Sequence, residues 1–207
     1  SEDERFLAEK EAISPDVEFA NAIKNFQAVA GNRVIIPYSI AEYEETAEVF
    51  KEAPDSLYDF MLNSNESGKI GLIKYRIGNT TYPIKTLLES KPALGYIIAK
   101  EDGDGVFRHH SVLTNADGIY FPSLSLMSYI AMTKDNPNLT VERSGDGKLK
   151  LKTGTLNLNY AGNSKLRWRG GTTAYKTIGV AKLLRPGSAA EEQEIKNSIT
   201  GTTIFIG

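Results

Sequence analysis

The residues best suited to chemistry gather in 101-EDGDGVFRHHSVLTNADGIYFPSLSLMSYIAM-132, which holds two Asp-Gly turn segments, Arg108 and both histidines, His109 and His110. Aspartates at alternate positions suggest a calcium loop. Such a loop needs an oxygen donor at its fifth position, glycine at its sixth and a bidentate carboxylate at its twelfth. Counting from Asp102, those positions hold Val106, Phe107 and Leu113, so the calcium pattern fails. Zinc fares no better. Adjacent histidines on a strand point to opposite faces and cannot share one ion, and no H-x-x-x-H or H-E-x-x-H spacing exists. The chain has no cysteine, which removes thiolate nucleophiles, disulfides and Cys-type zinc sites. No metal and no cofactor is expected.

Imidazole acid–base catalysis would have to use His109 or His110, the only two in the chain. No nucleophile elbow, phosphate-binding loop or dinucleotide glycine pattern supplies a partner. The chain is expected not to be an enzyme, with a hydrolase built on His109 or His110 as the alternative. The structural reading gives Asp102, Asp104, Gly105 and Arg108 another task. Gly tolerates positive φ, Asp bonds its own nearby backbone, and Arg108 is spaced to form a carboxylate–guanidinium contact with Asp104. Asp117-Gly118 and Asp146-Gly147 repeat the turn device. His109 and His110 stay as ligand-binding candidates.

A second cluster is basic and aromatic, 165-KLRWRG-170, grouped with Lys148, Lys150 and Lys152. Arg167, Trp168 and Arg169 are candidates to hold an anionic ligand or meet anionic lipid headgroups. The competing reading makes the lysines those of a solvated edge strand and Trp168 a core plug.

These groups must be positioned by a chain of 207 residues, 41% hydrophobic and 24% charged, values of an ordinary globular domain. The net charge of -2 gives no reason to expect nucleic acid. Residues 1–68 carry fifteen acidic and five basic side chains against eleven and nineteen in the remainder. Either the two halves attract each other, or the basic half presents a face to a ligand, partner or lipid. No apolar run reaches the roughly 18 residues of a spanning helix, and the N-terminus lacks a signal-peptide pattern.

Helix punctuation marks 14-SPDVEFANAIKNFQAVAGN-32, with Ser14 as cap, Pro15 at the first position and Gly31 as stop. Phe19, Ile23 and Phe26 are expected to form its buried stripe. A short strand over 33–39 is expected to end at Pro37. Acidic helices follow over 41–53 and 55–63, the second burying Leu57, Phe60 and Met61. The alternation in 69–84 around Gly78-Asn79 predicts a hairpin. Strands follow over 94–100, 106–113 and 119–122, then a helix carrying Leu124, Met127, Ile130 and Ala131. A hairpin over 147–160, a helix over 174–184, a mobile acidic loop and a last strand over 202–207 complete the chain. The interleaving predicts an α/β fold, a mixed β-sheet flanked by helices in a single domain.

The order of these pieces resembles the CHASE2 domain family. Gly95, then 102-DGDGVFR-108, an apolar strand and 121-FPSL-124 are similar to that family's glycine, D-x-D-G-v-x-R and aromatic-Pro-Ser-Leu helix start. 16-DVEFANAI-23 before 32-NRVIIP-37, 155-TLNLNYAG-162 and 200-TGTTIFIG-207 resemble further family segments, in order. The family's N-terminal strand-helix-strand part, with its Asp-rich Pro-Trp-x-Arg segment, and its C-terminal continuation toward membrane spans have no counterpart here. Residues 1–207 therefore read as a CHASE2-like portion of a longer receptor.

The resemblance implies an extracytoplasmic sensor on the periplasmic side of a bacterial inner-membrane protein. Such a sensor receives a small-molecule or protein signal, with flanking transmembrane helices and a cytoplasmic adenylate cyclase, diguanylate cyclase or kinase output. A stand-alone periplasmic binding or scaffolding domain is the alternative. If a sheet edge is left uncovered, the chain is expected to pair with itself as a homodimer.

Overall fold

The computed structural model describes residues 14–42, 55–62, 75–98, 101–116, 119–142, 146–167, 170, 176–202 and 204. Residues 1–166 and 167–207 form two compact units. The fold is mixed α/β, as the interleaved patterns imply.

The first unit opens with α1 (Pro15–Ala28). Ser14 precedes it without a side-chain cap, its carbonyl accepting from the amides of Val17 and Glu18. Of the expected stripe only Ile23 is buried, joined by Ala20, while Phe19 and Phe26 are 55% and 51% exposed. A polar side chain on the inward face helps fix this rotation. Gln27 donates to the Ser90 carbonyl at 2.9 Å and accepts from the Val34 amide at 3.2 Å.

Strand β1 (Ile35–Glu42) runs through Pro37 instead of ending there. It pairs in parallel with β3 (Ala93–Tyr96) from Ile35 to Tyr38, and antiparallel with β2 (Tyr75–Thr81) only from Ser39 onward. The carbonyls of Val34 and Tyr38 point to β3, so alternation turns Pro37 toward the side where pairing has not begun. Its missing N–H costs no ladder bond. Strand β2 keeps Gly78-Asn79 within it, bonded to β1 on both sides of the pair with a register shift between Thr80 and Tyr75, and joins β5 (Leu113–Ala116) in parallel at Tyr75. No hairpin turn forms there, because non-local pairing outweighs the local turn preference.

Strand β5 pairs antiparallel with β6 (Ile119–Pro122), completing a mixed sheet of order β3-β1-β2-β5-β6. Between β2 and β3 lies the short α2 (Lys85–Leu88). A 3-10 helix over Asp55–Phe60 buries Leu57, whereas Met61 is 44% exposed and Leu62 buried. The expected helix over 41–53 lies almost entirely outside the described residues.

Helix α3 (Leu124–Thr133) begins directly after β6, capped by Ser123 Oγ accepting from the Leu126 amide at 3.3 Å. At its other end Lys152 Nζ donates to the carbonyls of Thr133 and Lys134 at 3.0 and 2.6 Å, a cation where the helix dipole favours one. Lys152 is thereby a helix-end ligand, not part of an open basic face.

A second sheet contains β7 (Asn138–Val141), which the sequence reading did not anticipate, with β8 (Gly147–Leu151) and β9 (Gly154–Leu158). Leu139, Val141, Leu149 and Leu158 are buried while Lys148 and Lys150 are exposed. The lysine-bearing β8 is the middle strand, not an edge. These leucines join Val112, Leu113, Tyr120 and Leu126 in one core cluster. Tyr38, Ile40, Leu57, Leu94, Tyr96 and Phe121 form another. Finally, β4 (His109–Ser111) pairs antiparallel with β10 (Asn163–Lys165).

The second unit holds α4 (Val180–Leu184) and α5 (Ala189–Ile199). Residues expected to be an acidic loop are thus helical. Ser188 Oγ accepts from the Glu191 amide at 3.2 Å, and the Glu191 carboxylate accepts from the Gly187 amide at 2.7 Å, a variant of the capping box. Glu191 pairs with Lys182, and Glu192 with Lys196 one turn on, each at 2.6 Å. Only Ile195 is buried in α5. The expected last strand lies mostly outside the described residues; at its start Thr202 Oγ1 donates back to the Ile199 carbonyl.

Candidate functional site

Strand β3 delivers the chain to the acidic turn. The Asp102 amide donates to the Val106 carbonyl at 3.0 Å, and the Gly105 amide to the Asp102 carbonyl at 2.9 Å. Gly105 has φ 79°, the left-handed region in which glycine meets no Cβ clash. Asp104 Oδ1 accepts from the Val106 amide at 3.2 Å. Both Asp104 oxygens accept from the Arg108 guanidinium at 2.8 Å, a two-pronged contact, and Asp102 Oδ2 accepts from Arg108 Nη1 at 3.3 Å. Asp102 Oδ1 meets His109 Nδ1 at 3.0 Å. Arg108 is also held through its backbone, its carbonyl accepting from the Leu166 amide at 2.7 Å.

These contacts set the electrostatics. The Arg108 guanidinium holds the Asp104 carboxyl below the usual carboxylate range, helped by the Val106 amide. His109, then Arg108, do the same for Asp102. The two carboxylates raise the Arg108 pKa in return, Asp104 most. The side chains of Asp104, Arg108 and His109 are 57%, 45% and 41% exposed, so water screens each pair. Both carboxylates bond cations within their own turn. Among the described residues no group of three or more His, Asp or Glu side chains is arranged to hold a metal ion.

His110 points to the other side of β4. Its ring is half-buried, and Nε2 meets Ser125 Oγ at 2.5 Å. Ser125 Oγ also meets Ser123 Oγ at 3.0 Å, so the imidazole joins a chain of hydroxyls at the start of α3. Burial lowers the His110 pKa, favouring the neutral ring. A serine–imidazole contact acts as a nucleophile and base when an acid orients the ring; no described carboxylate does so for His110. The neighbouring Ser111 meets the Tyr96 hydroxyl at 2.8 Å, joining β4 to the main sheet.

Gly95 on β3 lies against the start of α3. A Cβ there would sit 2.6 Å from Leu124 Cα and 2.9 Å from Leu124 N. Backbone meets backbone at this point, so the strand-to-helix geometry depends on the missing side chain.

On its outward side, His109 borders a shallow open depression of about 490 Å3. Lys165, Asn163, Asn159 and Asn157 line it together with Lys148, Glu142 and Asp146. Lys148 pairs with Glu142 at 2.7 Å. Asn159 Oδ1 accepts from the amides of Ala161 and Asn163 at 3.0 Å. Sequence reasoning named His109 but missed these partners, because only the β4–β10 pairing brings Lys165 and Asn163 to it. Of the basic-aromatic cluster, Arg167 is exposed, while Trp168 and Arg169 lie outside the described residues.

No described helix is long and apolar enough to cross a membrane. No curated protein and no solved structure matches the sequence. The CHASE2 domain model matches residues 1–207. With the glycine, acidic turn, arginine and capped helix start in place along that match, the chain belongs to the CHASE2 domain family, extracellular sensory domains of signalling receptors.

Proposed function

We propose that residues 1–207 are the sensing module of a bacterial inner-membrane receptor, lying on the periplasmic side. The module binds a small-molecule or protein signal and relays a shape change through flanking transmembrane helices to a cytoplasmic cyclase or kinase. Such a relay requires that the signal bind one conformation better than another.

The observation that carries this reading is how the acidic turn is bonded. Asp102 and Asp104 face Arg108, His109 and main-chain amides, so the most chemical-looking residues of the chain brace a connection between β3 and β4. On this reading Asp102, Asp104, Gly105 and Arg108 are scaffold, and His109 faces the ligand. Placement of the module outside the membrane is tested by alkaline phosphatase fused within the full-length receptor, since that reporter is active only after export. Active fusions, in a gene encoding spans on both sides and a cyclase or kinase, are the expected result. Inactive fusions, or a gene without spans, would overturn it.

A further inference from the structure

Lys165 and His109 stand directly opposite each other in the β10–β4 register, which places their Cβ atoms within about 5.5 Å on one face. Lys165 is cationic, and when His109 is protonated the facing pair repels, which favours an anion between the two. Asp102 answers one side of His109 only, at Nδ1, and is shared with Arg108. In its protonated form His109 donates Nδ1–H to Asp102 and has Nε2–H left for a ligand. Lys165 is exposed and forms no ion pair among the described residues.

The surroundings extend this donor set. Asn163 is two residues back on β10 and shares the face of Lys165; Asn157 projects from β9 into the same depression. Neither carboxamide has a hydrogen bond among the described residues. Of the acidic residues in the lining, Glu142 pairs with Lys148 at 2.7 Å, and Asp146 is not without a partner. An ammonium, an imidazole nitrogen and two carboxamides are therefore left to meet a ligand in this open depression. Phosphate fits this set less well, because a dianion is best met by arginine forks or several main-chain amides, and here a single ammonium stands among carboxamides.

We propose that this depression binds a small hydroxylated carboxylate, with the carboxylate on Lys165 and His109 and the hydroxyls on Asn157 and Asn163. The proposal rests on the sensory reading for its meaning and names the chemical class of the signal.

Calorimetric titration of the 207-residue chain tests it, with D-galacturonate, D-gluconate and L-lactate as probes. D-galactose serves as the uncharged counterpart and inorganic phosphate as the competing anion. Saturable binding of at least one carboxylate is expected, at least tenfold tighter than phosphate and absent for galactose. Lys165→Met should weaken it at least tenfold with the unfolding temperature unchanged, Lys165→Arg should restore most of it, and Lys182→Met in the second unit should leave it intact. The proposal is overturned if no carboxylate saturates, if phosphate or galactose binds as tightly, or if Lys165→Met changes nothing. The two readings fail separately. Binding in the chain without any response from the full receptor sinks the sensory reading and leaves the site standing, whereas no binding removes the site and leaves the sensor with another signal.

Discussion

The two histidines, adjacent in the chain, mark two regions that hold their polar groups differently. On one side of β4, His109 belongs to the acidic turn, where Asp102, Asp104 and Arg108 bond to one another in the open. On the other side, His110 belongs to the start of α3, where a half-buried imidazole, two serines and a helix cap form one chain of hydrogen bonds over tightly packed backbone. The first region keeps its charges and is screened by water. The second favours the neutral form and depends on close contact. Charge in the open leaves a surface free to meet ligands; packing in the interior fixes where that surface stands.

The comparison is broken most severely at Gly95. Gly95→Val pushes a branched side chain into the backbone of Leu124 and should cost about 3 kcal/mol, read as a lowered denaturation midpoint. A variant as stable as the parent would show that the helix start is not closely packed. A pH series sharpens the contrast. The His110 pKa is lowered in the fold, so the unfolded chain takes up its proton first. Stability from this group is complete above the unfolded value of about 6.5 and falls as pH drops below it. Because the ring is only half-buried, the loss should stay under about 1 kcal/mol. His110→Gln should flatten the curve in that window. Asp102 and Asp104 are shifted down instead, so their contribution is kept until pH falls through the ordinary carboxylate range near 4. Arg108→Met should give the smallest effect, a slight loss of stability that fades as salt rises. A large, salt-independent loss would mean that the turn is packed and not screened.

Much of this arrangement was legible in the sequence where the determinants are local. The acidic turn follows from Asp, Gly and Arg within seven residues, the α3 start from Pro122-Ser123, and the β8–β9 hairpin from period-two alternation. What failed depended on distant partners. Gly78-Asn79 looks like a turn until pairing with β1 on both sides keeps it inside β2 as an irregularity, and the rotation of α1 involves Gln27 reaching Ser90, which no periodicity reports. Helix α5 was hidden because its support comes from a capped start and an i,i+4 ion pair with almost no apolar face. In the candidate site, His109 was visible as a residue type, but its facing partner Lys165 emerges only from the strand register.

Calorimetric titration of calcium into the chain is the most direct test of whether the acidic turn is a brace. Since Arg108, His109 and main-chain amides already answer its two carboxylates, no saturable heat is expected from the parent or from Asp104→Asn. Stoichiometric calcium binding that disappears in Asp104→Asn would contradict the account.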